Sequence, residues 1–229
     1  MQRNHPFGWL LGLVGAGLIH AGHAQIAPEP CHVDGLSQQL QCGKLSVPLA
    51  EDDGARIELA YTLVQANPEQ RSGDAVLVLA GGPGQAARDL VGGLGGNLGM
   101  ATRQRDLLFV DVRGTGDSAA LTCPEVDMTV QDIDAMVEAF RGCRQTLEFD
   151  PAHFTSLQYV ADLERVRQAF GYRQWNLLGG SYGTRLAQLY MREHPEAIRS
   201  AVLDSIAPLD EVIGARMGKG WRSTGWRRP

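Results

Sequence analysis

The residues with the clearest chemical potential are Gly179-Gly180-Ser181-Tyr182-Gly183, a G-x-S-x-G quintet. It follows the apolar run "WNLL" and opens a helical pattern, "YGTRLAQLY". A serine on a strand–turn–helix corner is the setting of a nucleophile elbow, in which a tight turn projects the hydroxyl above a sheet. Side chains beside such a serine would clash, so Gly179 and Gly183 suit the flanks. The backbone N–H of Tyr182 faces the spot where an attacked carbonyl would gather charge. A plain glycine-rich turn would account for the glycines alone. It would not account for the strand before them and the helix after.

Acyl transfer needs further donors aimed at the developing oxyanion, each worth roughly 3–4 kcal/mol. Gly81-Gly82-Pro83-Gly84, directly after "AVLVLA", can supply one from Gly82, because glycines let backbone approach substrate closely. No lysine follows at the place a phosphate-binding loop requires. A third stretch, "DVRGTGDS", spaces Gly114, Gly116 and Ala119 like a dinucleotide fingerprint. Asp111 and Arg113 sit where that strand should still be apolar, and "LTCPEV" offers no helix behind the glycines. The cofactor reading is set aside.

A serine hydroxyl is a poor nucleophile without a base. On a nucleophile elbow the partners follow in chain order, Asp or Glu and then His. The only histidine beyond Ser181 is His194. It ends the serine's own helix, about 20 Å away at 1.5 Å per residue, so it cannot be the base. His32 and His153 precede the serine, and His5, His20 and His23 lie in the N-terminal segment. Asp204 ends the run "SAVLDS", but nothing assigns it as the acid. Neither an acid nor a histidine is identified for Ser181. The four cysteines contain no C-x-x-C pair, so no metal site is read, and no cofactor is expected.

The elements that must hold these residues follow from periodicity. "GKLSVPL" and "RIELAYTLV" read as strands, the second alternating Ile57, Leu59, Tyr61 and Leu63. "AVLVLAG", "DLLFVDVRG", "WNLLGG" and "SAVLDS" are nearly continuous apolar runs, as in parallel strands covered on both faces. Helical spacing joins Val130, Ile133, Val137 and Phe140. It also joins Leu157, Val160, Leu163, Val166 and Phe170, and then Tyr182, Leu186, Leu189 and Tyr190, in a helix ending before Pro195. About six strands alternating with helices define an α/β fold with a mostly parallel sheet flanked by helices.

The 229 residues suffice for one domain, and a formal charge of −5 argues against general affinity for nucleic acid. Arg3, the run "FGWLLGLVGAGLIHAGHA", and Gly22 and Ala24 before Gln25 match a cleaved signal peptide over residues 1–24. An uncleaved anchor is the other reading. The strongly apolar part stops near Ile19, short of the ~20 residues a span needs, so no stable membrane anchor is expected. A periplasmic or secreted protein follows. With export, the even set Cys31, Cys42, Cys123 and Cys143 favours disulfides, and neighbours in sequence suggest Cys31–Cys42 and Cys123–Cys143 among three possible pairings.

Together "GGPG", "DVRGTGDS" and "ADLERVRQAFGYRQWNLLGGSYGTRLAQLYMREHPEAIRSAVLD" resemble the α/β-hydrolase serine peptidases of the proline iminopeptidase and tripeptidyl aminopeptidase kind. "CGKLSVPL" resembles the start of the exported tripeptidyl aminopeptidase branch. The resemblance runs from about residue 31 to residue 213. It implies an α/β-hydrolase fold and a peptide substrate trimmed from its N-terminus. It also implies Ser181 as nucleophile, with Gly82 and Tyr182 as oxyanion donors. Many members carry histidine where Ala80 stands, a residue that shapes the loop. The family's acid, histidine, helical lid and remaining strands would come later than Ile213. Residues 214–229 are basic and aperiodic, which suggests a hydrolase domain over 25–213 truncated after about its sixth strand, with an atypical tail of the kind a shifted reading frame produces. Two other readings stay open: a non-catalytic remnant or binding protein on this scaffold, and an esterase of the same fold.

Overall fold

A computed structural model of the chain describes residues 26–210, apart from 34–35, 37–38, 51–53, 98, 100–102, 128 and 131. The expected signal segment and the basic tail lie outside the described residues. Seven strands form one sheet in the order β1-β2-β3-β5-β4-β6-β7. β2 (Leu40–Pro48) and β3 (Arg56–Val64) make a long antiparallel hairpin in which Leu45 faces Leu59. The alternation predicted for β3 is present, with Ile57, Leu59, Tyr61 and Leu63 all buried. β3 runs antiparallel to β5 (Asp106–Val110). From there β4 (Ala75–Leu79), β6 (Trp175–Gly180) and β7 (Ile198–Asp204) continue the sheet in parallel.

Every residue of β5 is buried, as its unbroken apolar run requires. One face packs Leu77, Leu79, Leu108 and Leu177 against α3 (Ser156–Phe170) and α4 (Tyr182–Glu193). Val78, Leu107 and Phe109 point to the other face, under a short turn over Ala87–Leu90 and α1 (Val91–Asn97). Thr155 caps α3 by accepting the Gln158 N–H, and Gly171 closes it at φ 71°. α4 stops at Glu193, ahead of Pro195.

Three features depart from the sequence-based expectation. A seventh strand, β1 (Glu29–Cys31), pairs antiparallel with β2 in what read as irregular chain, and three of the six strand pairings are antiparallel. Disulfide Cys31–Cys42 joins β1 to β2, which explains how so short a segment is held. α1 forms over "VGGLGGN", a sequence with poor helix propensity; its first residue, Val91, is wholly buried. Finally, α2 (Ile133–Arg144) excludes Val130, and its apolar stripe of Ile133, Val137 and Phe140 is exposed. Cys143 in α2 is bonded to Cys123, so both expected disulfides are present.

Candidate active site

β6 delivers the chain to Ser181, and α4 starts on the next residue. Ser181 has φ 50° and ψ −118°, a conformation that residues with a side chain rarely adopt. The cause is local packing. A Cβ on Gly179 would lie 2.7 Å from the Gly183 carbonyl oxygen, and one on Gly183 would collide with the Leu79 carbonyl in β4. Helix and strands therefore touch backbone to backbone, and the turn between them has no slack. Ser181 is exposed, while Tyr182, Gly183 and Thr184 behind it are buried.

Thr184 ties the corner together. Its hydroxyl donates to the Ser181 carbonyl (2.6 Å) and accepts the Ala207 N–H (2.9 Å). The Ser181 N–H donates to the Asp204 carbonyl at the end of β7 (2.9 Å). Tyr182 turns its hydroxyl to Ser156 Oγ (2.7 Å), locking the start of α3 to the start of α4.

The glycine loop after β4 lies against this corner, since a Cβ on Gly81 would stand 3.3 Å from Ser181 Cβ. Gln85 Oε1 accepts the Gly81 N–H (3.3 Å). Gly82, at φ 98°, spends its N–H on no acceptor among the described residues. The Tyr182 N–H belongs to the first turn of α4, where backbone donors have no intrahelical partner. Gly81, Gln85, Thr115, Tyr159 and Tyr182 enclose a cavity of about 20 Å³ beside the serine, room for one water. Burial, together with the Tyr182 phenol, pushes the Tyr159 hydroxyl up to about 12. A larger open cleft of about 420 Å³ lies over Lys44, Thr62, Arg88 and Asp117 and includes no residue of the serine corner.

"DVRGTGDS" is a scaffold for the site. Arg113 is fully buried; it grips the Asp162 carboxylate of α3 through two bonds (2.7 and 2.8 Å) and donates to the carbonyls of Pro48, Leu49 and His153. Asp111, also buried, accepts the Arg88 N–H (3.0 Å) just after the glycine loop and the Asp117 N–H (3.3 Å). Burial raises the Asp111 pKa against these donors. The glycines here form turns, with Gly114 donating to the Ser118 carbonyl (2.7 Å).

The structure brings Ser181, Gly179, Gly183, Tyr182 and the Gly82 loop together. It brings no histidine to them among the described residues. His194 closes the far end of α4 with its ring edge-on to Tyr190, His153 is engaged through its carbonyl by Arg113, and His32 is exposed beside β1. Among the described residues the Asp204 carboxylate accepts the neighbouring Ser205 hydroxyl (3.2 Å). Thr184 and Gln85 were not singled out from the sequence; the one available signal was a hydroxyl residue three places after the serine, where it can reach back to the carbonyl of the turn.

Residues 74–229 match the family model for the alpha/beta hydrolase fold. The serine protease Hip1 of Mycobacterium tuberculosis is 30% identical over 205 residues, covering 79% of this chain and 39% of the relative. The tripeptidyl aminopeptidase of Streptomyces lividans is 29% identical over 211 residues, 81% of this chain and 39% of the relative. The proline iminopeptidase of Neisseria meningitidis is 28% identical over 152 residues, 66% and 38% respectively. A proline iminopeptidase-related protein from Thermus thermophilus superposes with a TM-score of 0.45 at 26% identity, covering 71% of this chain and 44% of that one. The chain thus spans 38–39% of the length of these curated relatives. With a strained serine between obligatory glycines, a parallel sheet leading into it and a family match over most of its length, the chain belongs to the alpha/beta hydrolase family.

Proposed function

We propose that this chain carries the nucleophile portion of an exported serine peptidase that removes residues from peptide N-termini. The observation that carries the reading is the backbone of Ser181, held at φ 50° on the corner between β6 and α4 with its side chain exposed. Ser181 attacks the scissile carbonyl. The Gly82 and Tyr182 N–H groups, on the loop and helix turn that flank it, receive the oxyanion. Peptidase names among the relatives favour a peptide over a simple ester as substrate. Export is supported by the two disulfides, which persist in oxidising compartments, and by the signal-like residues 1–24.

Serine attack requires a base, and none reaches Ser181 among the described residues. This chain by itself therefore binds a carbonyl without turning it over efficiently. A donor pair and binding alone leave about 10³–10⁴-fold over water, against a loss of about 10⁶-fold when a serine–histidine unit is broken. The test is hydrolysis of tripeptide-anilide, Pro-anilide and simple esters by the purified chain and by Ser181→Ala. Both proteins should be equally slow on anilides. Ser181-dependent turnover at ordinary peptidase rates would refute the missing base, and a marked preference for esters would refute the peptidase reading.

A further inference from the structure

Within α2, Cys143 is buried and bonded to Cys123, Met136 is half-buried, and the other residues are exposed. Asp132 caps the helix by accepting the Asp134 and Ala135 N–H groups, so α2 is well formed without a layer over it. Ile133, Val137 and Phe140 stand four and then three residues apart, the spacing of a coiled-coil seam, and are 69%, 42% and 42% exposed.

The charges beside this seam fix what it can meet. Asp134 and Arg141 each follow an outer seam residue, Ile133 and Phe140, so they share one flank of the helix, two turns apart. The opposite flank carries Met136 and Cys143 and turns towards the body of the protein. A second copy laid antiparallel, with a two-fold axis at Val137, matches each group to its complement. Ile133 meets Phe140, Val137 meets itself, and Asp134 meets Arg141. A parallel pair would set Asp134 and Arg141 against Met136 and Cys143, which offer no countercharge. Arg141 bonds Glu138 of its own helix (3.2 Å), but both side chains are exposed and such a pair contributes little. The guanidinium can therefore turn to the second copy. We propose that α2 is a self-association surface on which a second copy of this chain pairs its own α2 antiparallel, Ile133 closing on Phe140 and Asp134 on Arg141. The pairing does not depend on the role of Ser181. A two-turn seam buries less area than a standard interface, so the dimer is weak, with a Kd on the order of 100 µM.

Sedimentation equilibrium of the purified full chain, with its disulfides intact, should show monomer and dimer in that concentration range. Ile133→Glu with Phe140→Glu should abolish the dimer. Asp134→Arg and Arg141→Asp, each alone, set like charges opposite one another and should each raise Kd by about tenfold or more. An equimolar mixture of these two single variants should regain the wild-type affinity, because one helix is then basic along this flank and the other acidic. Little lies beneath α2, so the variants should keep the wild-type circular dichroism. Wild type that stays monomeric at about 1 mM, ten times the expected Kd, overturns the proposal. Dimers that survive Ile133→Glu with Phe140→Glu also overturn it. A mixture no more associated than its separate variants overturns the antiparallel pairing.

Discussion

Ser181 stores strain that its neighbours enforce. Positive φ at a residue with a Cβ costs about 1–3 kcal/mol, and the packing of Gly179 on Gly183 leaves the serine no other route from β6 into α4. Ser181→Ala keeps that cost and Ser181→Gly removes it. The glycine variant should be the more stable of the two by about 1 kcal/mol, after its own entropic penalty of roughly 0.5–1 kcal/mol. Urea unfolding of both, with equal slopes, checks this; equal midpoints would mean that the turn is relaxed. Gly183→Ala should move the other way, by about 1–3 kcal/mol, because its methyl group meets the Leu79 carbonyl.

Among the elements, the loop after β5 does more than connect. Arg113 joins the β2–β3 hairpin, the turn before α3 and α3 itself through one guanidinium. Arg113→Ala would strand the Asp162 carboxylate in the interior and should cost about 3–5 kcal/mol. Arg113→Lys should recover only part, since a lysine cannot reproduce the planar two-bond grip. Thermal unfolding ranks the three proteins. α2 is the opposite case, an element with little packing beneath it. Replacing Ile133 and Phe140, 69% and 42% exposed, by glutamate should change stability by under about 0.5 kcal/mol. The same change should reduce self-association, measured by light scattering, because it breaks an exposed apolar stripe.

At the scale of the whole molecule, buried charge is found at both ends of the parallel strands. The serine corner occupies the C-terminal ends of the parallel strands, and their N-terminal ends carry buried ion networks. Asp74 accepts from Arg105 (2.8 Å), Asn176 (2.7 Å) and Arg199 (2.7 Å), linking β4, β5, β6 and β7. Asp106 accepts from Arg71, the Tyr172 hydroxyl and the Ala66 N–H. Burial alone would raise the Asp74 pKa, but these donors outweigh it and hold the carboxyl well below the usual carboxylate range. A depressed folded-state pKa means stability that is complete above the unfolded value, near 3.8, and lost as pH falls below it towards the folded value. Wild type should therefore lose stability steeply below about pH 4, and Asp74→Asn should start about 2–3 kcal/mol lower at neutral pH with a flatter acid limb. Denaturant midpoints across pH 2–7 compare the two; parallel acid limbs would remove Asp74 from the account.

By itself the sequence determined the α/β alternation and the serine corner with its flanking glycines, and it favoured the two disulfide pairings over the other possible ones. Each of these is written in local pattern: unbroken apolar runs, a 3.6-residue period, residue types that a tight turn demands, and cysteines near one another in the chain. The tertiary structure alone decided the rest. β1 and α1 have weak local signals and exist because a disulfide and a buried valine hold them. Asp111 and Arg113 looked like misfits in an apolar strand. Their partners lie 49 residues on at Asp162 and 23 residues back at Arg88, and no local rule connects such distances. The outward face of α2 was equally hidden, since an apolar stripe fixes which side of a helix is greasy but not whether anything covers it. The strain at Ser181 is also a tertiary product. Glycines permit a tight turn anywhere, and only the contact of α4 with β4 and β6 forces a residue bearing a side chain into it.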